Sequence, residues 1–381
     1  MVRLVSSLSD FGYRRIVKPL LFRASPDDVH ARLLKMSRLR QRLSFTDRIV
    51  SALWSYQNKP LLEQTIRGVY FPNPVGLSAG FDKNVELVPT MKAVGFGFMT
   101  GGSVTFYPCQ GNPRPWFYRL PRQKSLVVHV GLANEGTKAV RTRIRSYKDS
   151  TFDTFPLVMS VAKTNNPENC DDKEAIADYV GSLKLLQDEP RVAVLEINIS
   201  CPNAYGGEPF TEPKRLEQLL AAVDRLKIRK PVWVKMPINH SWPDFAALLN
   251  VIVTHNVQGV TIGNLSKQRS EIPSEELPSQ VKGNLSGLPT QALSDDLIGR
   301  TYRLYGDRLT IIGVGGVFTA VDAYRKIRSG ASLVGLITGM IYGGPQLIGQ
   351  LNRDLAVLLK KDGFASVSEA IGSAHSKSAK T

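Results

Sequence analysis

Residues 194–203, with the sequence VLEINISCPN, begin as a buried strand and end in reactive polar side chains. The first half is apolar and rich in β-branched residues, which favours a strand, and Pro202 ends it. Asn198 and Asn203 flank Cys201 at that end. A thiol between two carboxamides indicates a catalytic site that binds a planar amide or carboxylate. The alternative interpretation is a buried structural cysteine followed by an asparagine-rich turn.

Strands and helices alternate along the chain on both sides of this segment. A closed (β/α)8 barrel, an α/β TIM barrel, is the fold that eight such units predict. An open, doubly wound sheet is the alternative, and it fits less well because no GxGxxG motif follows the first strand. The eight expected strands are residues 75–79, 97–101, 157–162, 194–200, 232–236, 259–263, 309–314 and 332–337. The expected helices between them include 85–94, 173–187, 213–227, 244–255, 291–305 and 320–329.

The same pattern divides the chain into three regions. An N-terminal helical extension covers residues 1–60, and the barrel covers 61–365. A frayed tail rich in Ser, Ala and Lys covers 366–381. An additional strand is expected at 65–70, before the repeat. Two long insertions, 103–126 and 264–289, follow the second and sixth barrel strands.

The composition of the 381-residue chain is typical of a globular protein from a reducing compartment. The three cysteines form no CxxC pair, so we expect neither a disulfide framework nor a metal site. No apolar run approaches the ~18 residues that a membrane span needs. These observations exclude a small secreted disulfide scaffold and a transmembrane bundle.

The charge of the chain is concentrated near its start. The formal net charge is +16, and residues 1–60 hold 12 Lys and Arg against 4 Asp and Glu, a net of +8. Two short amphipathic helices, beginning at Pro26 and Asp47, lie in this region. The charge bias predicts contact with an anionic surface, either a membrane or a nucleic acid. Amphipathic helices of this kind pack on a domain or lie on a bilayer. A solvated basic face is the alternative.

Polar residues cluster at the expected C-terminal ends of the strands, where (β/α)8 barrels carry their chemistry. They are Lys83, Asn198, Cys201, Asn203, Lys235 and Asn264. A lysine near the end of a core strand needs an anionic partner, because burying an unpaired charge is costly. Gly315-Gly316 and Thr338-Gly339 follow the last two strands, where barrels bind phosphate through backbone N–H groups.

Five segments taken together resemble the dihydroorotate dehydrogenase family. They are residues 78–84 (SAGFDKN), 198–203 (NISCPN), 234–235 (VK), 285–287 (LSG) and 311–316 (IIGVGG). The resemblance runs from about residue 10 to about residue 362. The N-terminal extension is similar to that of the membrane-associated, quinone-using class. The resemblance implies an FMN-binding barrel that oxidises (S)-dihydroorotate to orotate in pyrimidine (UMP) biosynthesis and passes the electrons to a quinone.

The resemblance also implies roles for individual residues. Cys201 is expected to be the base that removes a substrate proton, while Lys235 and Lys83 stabilise negative charge. The flavin and its phosphate are expected to contact Ala79, Gly80, Lys83, Ser103, Ser160, Asn198, Lys235, Gly263, Gly287, Gly316, Ile337 and Thr338. The pyrimidine is expected to contact Lys83, Asn198, Asn203 and Asn264.

The chain departs from the pattern of the class that it resembles at four positions. Cys201 stands where that class normally has serine, and Val128 stands where the family has a substrate-binding asparagine. Ser160 and Gly263 stand where Asn and Thr are common. His129 and Asn134 are candidates to compensate for Val128, with a structural histidine as the alternative.

Three functions are compatible with these observations. The first is a quinone-linked dihydroorotate dehydrogenase on an anionic membrane surface, at the cytoplasmic face of a bacterial cell membrane or at the mitochondrial inner membrane. The second is a related FMN oxidoreductase acting on another cyclic amide or enone, which Val128 favours. The third is a barrel without redox activity that binds nucleic acid or an anionic surface. The sequence lacks the aromatic and basic interleaving of a nucleic-acid motif, so we expect no nucleic-acid partner.

Overall fold

The computed structural model describes residues 8–40, 44–56, 58–166, 171–203 and 207–375, and a closed barrel of eight parallel strands forms its centre. The strands among these residues are β1 (Gln64–Ile66), β2 (Val69–Phe71), β3 (Val75–Leu77), β4 (Phe98–Val104), β5 (Phe117–Leu120), β6 (Ser125–Val128), β7 (Leu157–Val161), β8 (Val192–Asn198), β9 (Val232–Met236), β10 (Gly259–Ile262), β11 (Asn284–Leu285), β12 (Thr310–Val314) and β13 (Leu333–Leu336). The barrel consists of β3, β4, β7, β8, β9, β10, β12 and β13, and β13 pairs with β3 to close it. The predicted (β/α)8 barrel is confirmed, with strand ends that differ from the expected ones by at most three residues.

The helices follow the barrel strands as the alternation predicts. They are α1 (Lys18–Arg23), α2 (Pro26–Arg40), α3 (Ser44–Trp54), α4 (Lys59–Leu62), α5 (Val88–Val94), α6 (Thr137–Ser146), α7 (Asp172–Leu186), α8 (Pro213–Asp224), α9 (Trp242–Ile252), α10 (Gln291–Tyr305), α11 (Ala320–Arg328), α12 (Thr338–Gly343), α13 (Leu347–Lys361) and α14 (Val367–Ala370). No helix in the described part of the chain is both long enough and apolar enough to span a bilayer.

Two helices begin three residues away from the positions expected for them. The helix expected from residue 85 begins at Val88, because the Asp82 carboxylate accepts hydrogen bonds from the amides of Glu86 (2.8 Å) and Leu87 (2.7 Å) and holds the preceding residues in a turn. The second helix of the extension begins at Ser44, three residues before Asp47.

The single strand expected at residues 65–70 is wrong, because this segment is a hairpin. Arg67 and Gly68, with φ of 49° and 81°, form a two-residue turn between β1 and β2. Phe71 at the end of the hairpin is fully buried. Its ring meets the rings of Phe98 (5.6 Å between centroids) and Trp233 (6.5 Å). The hairpin therefore contributes an aromatic residue to a buried cluster with barrel-strand side chains.

The two insertions form one additional sheet. The first insertion and the residues after it provide β5 and β6, the second provides β11, and the three strands pair antiparallel in the order β11-β6-β5. Val128 lies opposite Phe117 on one side and opposite Asn284 on the other. The sequence predicted the insertions but not their pairing, which joins segments that lie about 160 residues apart along the chain.

The N-terminal extension is attached to this additional sheet. Asp27, in the first turn of α2, is buried and accepts hydrogen bonds from the amides of Trp116 (3.1 Å) and Phe117 (3.3 Å). Arg119 of β5 donates to the carbonyl of Ala24 (2.7 Å). These bonds hold α1 and α2 beside the C-terminal end of the barrel.

Residues 366–375 are ordered, although the sequence predicts a frayed tail from residue 366. Ser366 caps α14, and Val367 and Ala370 of this helix are fully buried. The Tyr302 ring stacks on His375 at a centroid distance of 5.5 Å. Buried apolar contacts order this segment despite its polar composition. Residues 376–381 lie outside the described residues.

We predict that Asp27→Ala loosens the extension without unfolding the barrel. The change leaves two amide groups without acceptors, at a cost of roughly 1–3 kcal/mol for each buried group. Limited proteolysis should therefore cut within residues 8–40 at least about tenfold faster. Asp28→Ala is the control, because Asp28 lies beside Asp27 but is exposed. Equal cleavage rates for the two variants would contradict this account of the attachment.

Candidate active site

A cavity of about 750 Å³ opens at the C-terminal end of the barrel and continues between the helices of the extension. The barrel strands line its lower part, and Leu21, Phe22, Val29 and Leu33 are among the residues that line its upper part. The volume lies within the range of pockets that bury small molecules and cofactors. Among the described residues, this cavity brings together nearly all the side chains that the sequence singled out.

All but one of the predicted site residues line this cavity. They are Ala79, Gly80, Lys83, Ser103, Asn198, Cys201, Asn203, Lys235, Gly263, Asn264, Gly287, Gly316, Ile337 and Thr338. The exception is Ser160, which is fully buried behind the wall, where its hydroxyl lies 2.8 Å from that of Ser103. Its position supports Ser103 and offers no surface to a ligand.

Asn198, the last residue of β8, is held by a polar network. Its Nδ2 donates to the Ser103 hydroxyl (2.8 Å), and its Oδ1 accepts from the Ser200 amide (3.1 Å). Tyr179 donates to its backbone carbonyl (2.7 Å). Since both ends of the carboxamide have protein partners, its orientation is fixed before any ligand binds.

Lys235 projects into the cavity without a protein partner. Within the described ranges, its ammonium makes no hydrogen bond or ion pair, although it lies on β9, between Asn198 of β8 and Thr261 of β10. Lys235 is half-buried, and withdrawing a cation from water without a partner is costly, so the site is suited to an electron-rich or anionic group.

Lys83 lies on the opposite side of the cavity mouth. Its ammonium donates to the carbonyl of Gly80 (2.8 Å) and lies 5.7 Å from the centre of the Phe117 ring. Burial lowers the pKa of Lys83 to about 8, against the attraction of Asp82 and Asp27. Lys83 is therefore mostly protonated at neutral pH and loses its charge near pH 8.

The glycine-rich end of the cavity presents free backbone N–H groups. Gly287 and Gly316 have φ of 73° and 66°, and α12 begins at Thr338. A Cβ at Gly287 would lie 2.3 Å from the carbonyl of Lys124, and one at Gly316 would lie 2.3 Å from Gln291. Throughout the part of the chain that the structure describes, the amides of these three residues donate to no protein acceptor. This arrangement suits a phosphate group.

Cys201 follows β8 and lines the cavity beside Asn198 and Asn203. Burial raises the pKa of its thiol; a backbone N–H bond at Asn203 and the positive charge of Lys235 act in the opposite direction. The thiol is therefore predominantly protonated at neutral pH. It can act as a base only through its small thiolate fraction, which grows as the pH rises.

The remaining predicted asparagines are also held by the protein. Asn264 donates to the carbonyl of Ser200 and to its hydroxyl (2.7 Å). Asn203 donates through Nδ2 to the carbonyl of Val128 (3.0 Å). Asn203 also accepts from Asn284, so it keeps one N–H and one lone pair for a ligand. The Oδ1 of Asn264 accepts from the Leu265 amide (2.8 Å), so Asn264 keeps one lone pair.

Neither residue expected to compensate for Val128 lines the cavity. The Asn134 carboxamide is buried and bonds to Thr105, Leu132 and Gly136. His129 lies 3.4 Å from the Asn112 amide. Both residues therefore have structural roles, whereas the apolar side chain of Val128 lines the cavity.

Sequence reasoning missed two polar residues in the cavity wall. Glu196 is buried in β8, two residues before Asn198 and on the same face; Thr261 donates to its Oε2 (2.6 Å), while its Oε1 has no partner among the described residues. The Ser78 hydroxyl is likewise buried without a partner there. The alternation of side chains along a strand was the available signal for Glu196, because it lies two residues before Asn198 and therefore faces the same side.

The upper part of the cavity is apolar except for a few groups. His30 packs edge-on against Phe81, with 5.1 Å between ring centroids. Burial and the charge of Lys83 lower the pKa of His30 to about 4, so its ring is neutral at physiological pH. Arg119 and Tyr13 also line this part. The arrangement suits an apolar molecule that carries a hydrogen-bonding head.

Comparison with known proteins gives one consistent result. The family model described as dihydroorotate dehydrogenase matches residues 61–359. A protein of Deinococcus deserti named dihydroorotate dehydrogenase (quinone) is 35% identical over 94% of this chain and 99% of its own length. A protein of the same name from Synechocystis sp. is 33% identical over 95% of this chain and 92% of its own length. A crystal structure of ligand-free DHODH from Eimeria tenella superimposes with a TM-score of 0.77, at 26% identity, covering 87% of this chain and 99% of that one.

We predict that alkylation of Cys201 by iodoacetamide reports its raised pKa. Only the thiolate reacts, so the rate should reach half its maximum above pH ~8.5, the ordinary value for cysteine. Lys235→Ala should move that midpoint further up, because it removes a charge that favours the thiolate. Peptide mass spectrometry follows the modification site by site. The control is Lys282→Ala, an exposed lysine. A midpoint below pH 8.5, or one that Lys235→Ala leaves unchanged, would contradict this electrostatic description.

Proposed function

Since the chain belongs to the dihydroorotate dehydrogenase family, we propose that it oxidises (S)-dihydroorotate to orotate with a quinone as electron acceptor. The overall reaction converts dihydroorotate and quinone to orotate and quinol, in pyrimidine biosynthesis. The observation that carries this proposal is the convergence of Cys201, Lys235 and three fixed carboxamides on one cavity. Of the three functions compatible with the sequence, family membership favours this one.

The proposed cofactor is FMN, which supplies the hydride acceptor when it is bound. Its phosphate fits the free amides of Gly287, Gly316 and Thr338, where added Cβ atoms at the two glycines would collide with their neighbours. Lys235 offers a positive charge to the electron-rich edge of the ring system. The unpartnered oxygens of Ser78 and Glu196 can accept hydrogen bonds from the ligand.

Each residue of the proposed substrate half has a distinct task. Cys201 accepts the proton from the carbon next to the substrate carbonyl, and its Sγ carries that proton until solvent removes it. Asn198 and Asn203 hold the amide edge of the ring through their remaining N–H groups, and Asn203 and Asn264 through their remaining lone pairs. Lys83 attracts the anionic substrate while it remains protonated, below about pH 8.

The function is tested by anaerobic mixing of the yellow holoenzyme with dihydroorotate. Wild-type protein should lose its flavin absorbance, at a rate that rises with pH because the thiol must ionise. Cys201→Ala should keep flavin and orotate binding but react roughly 10²- to 10⁴-fold more slowly, which is the usual contribution of a positioned base. Cys201→Ser should retain part of the activity, shifted to higher pH.

The control for this test is Cys109→Ala, since Cys109 is buried outside the cavity. It should react at the wild-type rate. If dihydroorotate does not reduce the flavin absorbance of the wild-type holoenzyme, the proposed function is wrong. If Cys201→Ala reacts within a few-fold of wild type at every pH, another residue is the base.

We further propose that the extension binds an anionic membrane and admits the quinone, at the cytoplasmic face of a bacterial cell membrane. Ten of the fifteen exposed large apolar residues of the described chain lie within residues 8–53. Exposed Arg14, Arg15, Arg32 and Lys35 lie among them. An exposed apolar face bordered by basic residues suits an interfacial helix. The apolar upper cavity lies between the same helices and would lead a quinone towards the barrel.

Replacing Phe11, Leu20 and Leu39 together by serine should weaken binding to anionic liposomes by at least about tenfold. Each side chain is more than half exposed, and none lines the cavity. Burial of a large apolar side chain contributes roughly 1.5–3 kcal/mol, so three losses exceed a factor of ten. Activity with a short-chain, water-soluble quinone should be unchanged.

The control for the liposome experiment is the triple serine variant at Leu304, Val321 and Val357, which are similarly exposed outside the extension. It should co-sediment with liposomes as well as wild type does. Equal binding by both triple variants, at low salt, would rule out the membrane proposal while leaving the reaction untouched.

A further inference from the structure

Three residues form a row across the additional sheet next to Asn203. Phe117, Val128 and Asn284 lie directly opposite one another on β5, β6 and β11. Side chains that face each other across antiparallel strands project to the same side of the sheet. Phe117 and Val128 line the cavity, so Asn284 projects to the cavity side as well. It is the only carboxamide in this row.

The Asn284 side chain donates a hydrogen bond to Asn203 and does not itself line the cavity. Its Nδ2 donates to Oδ1 of Asn203 at 3.0 Å, while Nδ2 of Asn203 donates to the carbonyl of Val128 at 3.0 Å. Asn112 donates to the Asn203 backbone carbonyl at 3.2 Å. Two neighbouring positions of the sheet therefore contact both ends of the Asn203 carboxamide.

These two bonds decide which way the carboxamide faces. The nitrogen and oxygen of an asparagine amide are nearly equal in size, so shape alone does not distinguish its two orientations. An N–H donor at 284 and a carbonyl acceptor at 128 favour one orientation, in which the second N–H and the second lone pair of Asn203 remain for a ligand. Without Asn284, only the Val128 carbonyl would oppose a flip.

We propose that Asn284 is a positioning residue that fixes the Asn203 carboxamide for recognition of a cyclic amide substrate, and thereby offsets the missing polar group at Val128. The inference rests on the proposed function, because it concerns the substrate half of the same site. Asn284 does not line the cavity, so it acts through Asn203 and does not touch the substrate. Its effect is on binding, and the proton-transfer step is left to Cys201.

The test measures orotate affinity by the change in flavin absorbance on binding, together with the rate of flavin reduction at saturating dihydroorotate. Asn284→Leu keeps the size of the side chain and removes the donor. It should raise the orotate Kd and the KM about three- to tenfold, the range expected for one lost hydrogen bond. Flavin content and the saturating rate should stay within about twofold of wild type. Asn284→Gln, which retains a donor, should recover part of the affinity.

A double-mutant cycle separates this role from a structural one. In an Asn203→Ala background the carboxamide is gone, so Asn284→Leu should cause no further loss of orotate affinity. A general disturbance of the sheet would instead weaken binding by the same factor in both backgrounds. If Asn284→Leu does not fold, Asn284→Ala takes its place in the cycle. Asn250→Leu, a change at an exposed asparagine outside the cavity, is the control.

Two results would overturn the proposal: an Asn284→Leu protein with wild-type orotate affinity, or an equal loss in the presence and absence of the Asn203 carboxamide. Failure of the proposed function has a different signature. In that case wild-type holoenzyme itself would show no absorbance change with orotate and no reduction by dihydroorotate, and both proposals would fall together.

Discussion

Hydrogen bonding between β13 and β3 closes the barrel, and the arrangement of the site depends on that closure. Because all eight strands are parallel, closure brings their C-terminal ends to a single rim. Side chains distant in sequence, such as Lys83, Cys201 and Lys235, thereby share one cavity. An open sheet would spread the same residues along an edge and could not surround a ligand.

The rim retains polar groups that the folded chain does not satisfy. Half-buried Lys235 has no anionic partner in the described part of the protein, and one buried oxygen each of Ser78 and Glu196 lacks a donor there. Unpaired buried groups reduce stability, so they are expected where a ligand completes them. Asn198, Asn203 and Asn264 are held by the protein in advance, which lowers the cost of ordering them on binding. In the proposed reaction, the unsatisfied groups bind the cofactor and the fixed carboxamides orient the substrate.

Sequence reasoning succeeded where the residue types within one segment are enough to indicate its structure. Apolar strands with polar ends predicted the barrel, and the motif around Cys201 led to the cavity. Such reasoning did not predict features that depend on pairing between chain segments. The hairpin around Arg67 and Gly68 looked like one strand because both of its arms are strand-forming. Asn284 belongs to a two-residue strand, and its contact with Asn203 exists only because the two insertions pair. The burial of Val367 was not predicted, because the segment from residue 366 onwards is mostly polar.

The central claim is that one cavity holds the flavin, the substrate and the Cys201 thiol together. A crystal structure of the protein with FMN and orotate tests it most directly. The account predicts that the FMN phosphate binds to the amides of Gly287, Gly316 and Thr338. It also predicts that orotate contacts Asn203 and that Cys201 Sγ faces the orotate ring. Orotate bound outside this cavity, or a Cys201 thiol directed away from the ring, would contradict the account.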